Sequence, residues 1–506
     1  MNEPATVQSA DAVSRGSRRR QRLQMVLTGL TLGLLFVLVL LPGTSLVTFF
    51  GVFVVAALVI SRRDEVTAIT LLLGVTILIP ADRVIAPLGQ VGVPAILVGG
   101  GLLLFWLYSR CAPTMGTDRG RQPVRLLALV LLVTTLASYI AGHLRGLVPL
   151  ETSGADAAML QLASALGLLL FTADSLRDTA AVRRVVERIA LGASFMGVVA
   201  LLQYYNVVDL AALADYPGLV VDGSTAEFLI DRFGLNRVAG TATHPIEFGV
   251  VLAMSLPLAL NLALTAPPQR RIRMWLMTAI IGGTIPLSVS RSGILAAVVA
   301  LLVYFAILRL RTVFNLLALA VVGVAAVTIA APGVLRTILD LFLATGEEPS
   351  SEAREADYPI VIAQWLADPV FGRGPGTYIP VLYRVVDNQY LITLVMTGAV
   401  GLVVLLALFG MGYSLARRVH WYGPDENARR LGQSLAAAIA AAAVASFTYD
   451  ALAFTVMFVV THLLIGCAGA LWRTAVRDSP STPTGLDGMD TPSKSVQLPT
   501  WPGLGT

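Results

Sequence analysis

Three groups of residues in this chain have the types and spacing to handle an anion. The first is Ser288-Val289-Ser290-Arg291-Ser292-Gly293. Arginine keeps its charge at any relevant pH and grips phosphate oxygens through a rigid planar fork. The hydroxyls around Arg291 and the small Gly293 would let an anion come close. The same pattern also suits an arginine that anchors a helix end by snorkelling to water. The second group is Arg237 with Gly240, His244, Pro245 and Glu247. His244 and Glu247 are one helical turn apart and share a face, although a histidine at a helix start is often structural. The third group holds Arg354, then Gly372-Arg373-Gly374-Pro375-Gly376, then Arg384 and Asp387-Asn388-Gln389-Tyr390-Leu391. The glycine run lacks the spacing and lysine of a nucleotide-binding loop. It reads as a turn that lets backbone approach something closely. Arg354 lies among Glu352, Glu355 and Asp357, so a surface ion-pair cluster, each pair worth at most about 1 kcal/mol, explains it as well. Asp387-Asn388 can cap a helix starting near 388, and that leaves room for a catalytic role too.

No Asp-x-Asp pair, His-x-x-x-His pair or cysteine cluster is present, so no metal site is expected. No glycine-rich nucleotide loop appears either, and no cofactor is expected.

The elements that must position these groups are membrane helices. The chain is 56% hydrophobic and only 13% charged, with a mean hydropathy of +0.77. Soluble domains carry about 25% charged residues, so the composition fits an all-α polytopic membrane protein. Apolar runs of spanning length, about 17 to 25 residues, centre on 25–41, 45–60, 66–80, 92–108, 124–141, 157–173, 187–205, 246–264, 274–290, 293–308, 312–331, 388–415, 432–449 and 451–472. That predicts about 12–14 transmembrane helices. The net charge of +5 does not call for nucleic acid, because arginine placement orients the helices. With the N-terminus inside, cytoplasmic segments hold 26 arginines and the longer outer segments only 9, as the positive-inside rule demands. Both termini are therefore expected in the cytoplasm of a multi-pass protein of the cell membrane. Cys111 and Cys467 fall on that same side, where a disulfide is not expected.

The expected organisation is a basic N-terminus (1–24), N-terminal helices (25–205), an extracytoplasmic loop (206–245) and further helices (246–330). A large extracytoplasmic loop (331–387), C-terminal helices (388–474) and a disordered cytoplasmic tail (475–506) follow. The large loop lies between the last-but-three and last-but-two spans. Within it, Ile360, Ile362 and Leu366 have helical spacing, with Pro359 suited to a first turn.

These motifs, in this order and on these loops, resemble the O-antigen ligase and polymerase family of bacterial membrane glycosyltransferases. The residues that carry the resemblance are Arg237 to Glu247, Ser288 to Gly293, Arg354, Asp368-Pro369-Val370-Phe371-Gly372-Arg373-Gly374-Pro375-Gly376, Asp387 to Leu391 and Gly398-Ala399-Val400-Gly401-Leu402. The resemblance implies a GT-C-like architecture. It also implies transfer of a glycan from a polyprenyl-diphosphate carrier to the hydroxyl of a glycan or other acceptor. That transfer would take place in membrane lipid at the outer face, with inversion and without metal, nucleotide or nucleic acid. Arg237, Arg291, Arg354 and Arg373 would hold the departing diphosphate, with Arg384, Asn388 and Tyr390 nearby. A general base must take the acceptor proton. Asp387 stands where the family's ligase branch typically has histidine, and His244 and Glu247 are its rivals. The missing histidine favours a polymerase, or a ligase with an acceptor other than lipid A. A transporter or flippase of lipid-linked glycans is the alternative function.

Overall fold

The computed structural model describes residues 65–80, 82–85, 88, 92–111, 122–207, 219–221, 237–343 and 349–478. The runs expected at 25–41 and 45–60, the basic N-terminus, most of the 206–245 loop and nearly all of the tail lie outside the described residues.

Helices dominate what is described. They are α1 (Glu65–Leu78), α2 (Pro94–Cys111), α3 (Pro123–Arg145), α4 (Pro149–Ser175), α5 (Thr179–Tyr204), α6 (Pro245–Thr265) and α7 (Pro268–Thr284). After a 3-10 turn, Ile285–Ser288, come α8 (Arg291–Phe305), α9 (Leu310–Ala330), α10 (Val334–Leu343) and α11 (Pro349–Ala367). The last three are α12 (Gln389–Tyr422), α13 (Glu426–Ala445) and α14 (Thr455–Asp478). Two short strands, β1 (Arg83–Ile85) and β2 (Leu219–Val221), pair antiparallel and tie the first loop to the long second one.

Every apolar run expected between residues 66 and 472 corresponds to one of these helices. Seven of them, α3, α4, α5, α6, α9, α12 and α14, are long and apolar enough to cross a membrane. The chain is an all-α polytopic membrane protein. One expectation changes in detail: α11 starts at Pro349, and Pro359 sits inside it. Pro349 takes the first-turn position that favours proline, and the acidic stretch after it continues the helix.

Helix starts follow local chemistry. The Asp178 carboxylate accepts from the Ala181 amide (2.6 Å) and opens α5, and Asp425 does the same for α13 through Ala428 (2.8 Å). Such caps satisfy amides that have no partner within the helix. In the bundle, α6 and α14 are central, each with 89% of its apolar window buried, while α9 has 6% and faces outward. Small residues set the close crossings. A Cβ on Gly167 of α4 would fall 2.1 Å from the Gly99 carbonyl oxygen of α2, so neither helix could approach the other with a larger residue there.

The end of the bundle away from the three sequence motifs is closed by Asp174. Its buried carboxylate accepts from the Trp106 indole (2.8 Å) and pairs with Arg110 and Arg125 (2.9 Å). Arg473 donates to the carbonyl of Leu176 (2.6 Å), bringing the end of α14 to the same corner. Cys467 is buried in α14 and unbridged.

Candidate active site

The chemistry-bearing loops meet at the other end of the bundle. The 3-10 turn before α8 ends at Val289, whose φ of 44° is left-handed. A β-branched residue adopts that conformation only under strain, about 1–3 kcal/mol. The turn swings Ser290 into place as N-cap of α8, where its hydroxyl accepts from the Gly293 amide (3.3 Å). Arg291 is then the first residue of α8 and partly buried. Arg237 donates from Nε to the Ser288 carbonyl (3.4 Å), so the first two motifs are neighbours in space. Gly293 faces the backbone of α6: a Cβ on it would lie 3.0 Å from the Gly249 Cα. Its smallness admits a helix there.

His244 is the N-cap of α6, and its Nδ1 accepts from the Ile246 amide (3.1 Å). Its ring packs 5.9 Å from that of Phe454. Glu247 is fully buried. Its carboxylate accepts from the amides of Thr243 (3.0 Å), Val456 (2.7 Å) and Met457 (3.2 Å). One carboxylate thus holds the N-termini of both central helices, where the helix dipole favours negative charge. With three amides already bound, Glu247 is placed as a clamp.

The glycine run proves to be a wedge. Helix α12 breaks at Gly398, where φ is 69°. The break frees backbone groups within an apolar helix, and each needs a partner. The 369–374 segment supplies them: Arg373 N donates to Val395 O (3.0 Å) and Gly374 N to Met396 O (2.9 Å). In return Ala399 N donates to Pro369 O (2.9 Å) and Val400 N to Val370 O (3.3 Å). Three glycines of the run meet three glycines of helices. A Cβ on Gly372 would lie 2.5 Å from the Gly398 nitrogen. A Cβ on Gly142 of α3 would lie 2.7 Å from Arg373 O, and one on Gly154 of α4 2.2 Å from Gly376 O. All three positions on the run itself have positive φ, which glycine adopts freely.

Beside the wedge, Glu151 of α4 gathers Arg145 (3.4 Å), Arg373 (3.2 Å) and the Tyr383 hydroxyl (2.5 Å). Arg373 also hydrogen-bonds the Tyr383 hydroxyl and lies over its ring, 4.5 Å from the centroid. Two arginines share one carboxylate, so the cluster keeps a net positive charge. The Tyr383 phenol is held above its ordinary pKa by burial and by its bond to Glu151, and it stays a donor.

A cavity of about 450 Å³ opens between α3, α4 and α12. Its floor is apolar, with Leu131, Leu162, Leu405 and Leu408; its head carries Arg384, Gln389 and Asp450. The 446–454 turn forms one side of that head. Gln389 N donates to Ser446 O (2.9 Å) and Tyr449 O (3.1 Å), and the Gln389 side chain accepts from Leu452 N (2.7 Å). These bonds bring Asp387, two residues earlier, beside Asp450. Burial and then the Asp387 charge push the Asp450 carboxyl up to about 7. Asn388 caps α12 by accepting from Tyr390 N (2.9 Å) and Leu391 N (3.2 Å). Asp387 therefore does not carry the cap. Tyr390 is buried and donates to Ala443 O (2.7 Å), locking α12 to α13.

Residues 276–406 match the family model described as O-antigen ligase. That stretch is similar to an O-antigen ligase domain. The match runs from α7 through the wedge into α12. It contains Arg291, Arg354, Arg373, Arg384, Asp387, Asn388 and Tyr390, whereas Arg237, His244 and Glu247 precede it. A search among curated proteins gave no match.

The geometry brings Arg237 to the turn that precedes Arg291, Arg384 to the cavity head and Asp387 beside Asp450. Arg354 lies near the start of α11, and its side chain is outside the described residues. Four contributors to this end of the bundle belong to none of the three motifs: Arg145, Glu151, Tyr383 and Asp450. Arg145 ends α3, outside the three motifs. Asp450 had a signal, as an acid between two apolar runs, but nothing in its spacing linked it to Asp387. Among the described residues no three His, Cys, Asp or Glu side chains gather as a metal set.

Proposed function

We propose that this protein transfers a glycan from a polyprenyl-diphosphate carrier to an acceptor hydroxyl at the outer face of the cytoplasmic membrane, in the making of a cell-surface or exopolysaccharide. The observation that carries this reading is the cavity, apolar along α12 and headed by Arg384, Gln389 and Asp450. An isoprenoid chain needs an apolar channel reachable from lipid, and its diphosphate needs cations at the polar end. Arg384 heads the cavity, the Arg145–Arg373 cluster flanks the segment whose Pro375 and Gly376 line it, and Arg237 reaches the Ser288 turn that leads into Arg291. Arg354 joins them as a candidate from α11.

In this reading the acceptor oxygen attacks the anomeric carbon from the face opposite the diphosphate, which inverts that carbon. The bond to the diphosphate oxygen breaks, and fixed guanidinium groups stabilise the charge that develops. That role lets the reaction run without a metal. Asp387, His244 and Glu247 are the groups first placed to take the acceptor proton, and Asp387 alone stands beside the cavity head. The histidine missing at Asp387 favours a polymerase or a ligase whose acceptor is not lipid A. No observation favours the transporter alternative.

The test is reconstitution with a polyprenyl-diphosphate glycan. Arg291→Ala and Arg384→Ala should each lower turnover by about 10²–10³, the usual effect of losing a donor to developing negative charge. In cells they should leave lipid-linked glycan accumulating. Wild-type polymer from both variants at normal protein levels would overturn the reading.

A further inference from the structure

Asp450 lines the cavity head, and Asp387 does not form part of its wall. The carboxyl of Asp450 is largely enclosed, and among the described residues its own backbone amide is the sole hydrogen-bond donor to it. An ionisable group in that setting is expensive to keep unless it has a task. Its position is fixed from three sides. Gln389 holds the turn through Ser446, Tyr449 and Leu452, and Gln161 of α4 donates to the Leu452 carbonyl (2.8 Å). Behind it, Glu247 clamps the start of α14.

We propose that Asp450 is the general base of the transfer, with Asp387 beside it as the second carboxylate of a pair. This inference rests on the glycosyl-transfer reading above and adds the proton acceptor to it. As the acceptor O–H oxygen bonds to the anomeric carbon, its proton passes to the Asp450 carboxylate. The electron pair of the breaking carbon–oxygen bond leaves with the diphosphate. The proton is later released to water, and no other reactant is consumed.

The titratable and charged groups around Asp450 are Asp387, Arg384 and Tyr378 from the segment before α12, Tyr449 next to it, and His462 of α14 on the same cavity wall. Glu247 of α6 reaches it through Tyr449. Helices α3 and α4 contribute no titratable side chain to the wall. Two neighbouring carboxylates disfavour double ionisation, so one holds its proton at a higher pH than an isolated acid. Burial and the Asp387 charge raise the Asp450 carboxyl to about 7, a value suited to accepting and returning a proton near neutrality.

The experiment compares wild type, D450N and D450E in glycan transfer across pH, with donor binding followed by titration with polyprenyl diphosphate. In wild type the rate should fall as pH drops through about 7. D450N should lose about 10²–10⁴-fold in kcat, bind polyprenyl diphosphate as wild type does, and show no such fall in its residual rate. D450E should recover part of the rate together with the pH dependence. A wild-type kcat in D450N overturns the assignment. So does a slow D450N that keeps the wild-type pH dependence, which would mark a structural role. If D450N does not fold, the wild-type profile decides alone: a rate flat through this range overturns the proposal. An inactive wild type overturns both readings, while an active wild type with an indifferent D450N overturns this one only.

Discussion

A single carboxylate can serve the fold or the chemistry, and this protein has both kinds, in Glu247 and Asp450. Glu247 is fastened by three amides that open two helices. Glu247→Ala leaves those amides without an acceptor, each lost partner being worth about 1–3 kcal/mol, and thermal unfolding in detergent should show a large drop. Glu247→Gln keeps one acceptor oxygen and should drop less; equal stability of all three proteins would contradict the clamp. Asp450 is the opposite case. Its folded-state carboxyl binds a proton more tightly than the ordinary value of 3.8 allows, so the folded state holds more protons than the unfolded between about 4 and about 7. Stability must then fall as pH rises through that window. Asp450→Asn removes the effect and should unfold at a higher temperature than wild type above pH 7, which calorimetry would read. Val289, held left-handed between two serines, stores strain of the same functional kind beside Arg291.

At the scale of elements, the wedge between α11 and α12 decides the geometry of the cavity. Gly398→Ala would put a Cβ 2.2 Å from the Val370 carbonyl oxygen, on a backbone with φ of 69°. Gly154→Ala would put one 2.2 Å from the Gly376 oxygen. Both variants should be destabilised, and limited proteolysis should cut the 369–376 segment faster than in wild type; unchanged cutting would mean the wedge is not seated as described. In the sequence, Gly372–Gly376 reads as a turn meant for close approach. What it approaches is not legible there, because Gly142 and Gly154 sit unmarked in ordinary apolar helices more than 200 residues earlier. The same limit hid Glu151, whose partners Arg373 and Tyr383 are equally remote.

At the scale of the molecule, helices were legible because apolar length is a property of each segment alone. Boundaries were less so: α7 begins at Pro268 and gives way after Thr284 to a 3-10 turn, where a single span at 274–290 was expected. The pairing of Arg237 with the Ser288 turn followed from motif order only loosely, since packing of α6 on α8 brings them together. The bundle has one polar end holding the cavity head and another closed by Asp174. Asp174→Ala would remove the buried carboxylate that Arg110 and Arg125 share. It should lower thermal stability while turnover per folded molecule stays at the wild-type value. A loss of turnover equal to that of Arg384→Ala would mean the two ends are coupled. Cysteines placed near Arg384 and near Arg473 should react with an impermeant thiol reagent only at the first position in intact cells, which tests the expected orientation.

The wedge has one more consequence. It is seated by main-chain bonds and glycine contacts, while Val370 and Phe371 point outward, 51% and 41% exposed. A socket that reads backbone is indifferent to the side chains presented above it. The segment is therefore a replaceable cassette: swapping Val370 and Phe371 for polar residues can change the surface it presents while the glycines keep the same seat.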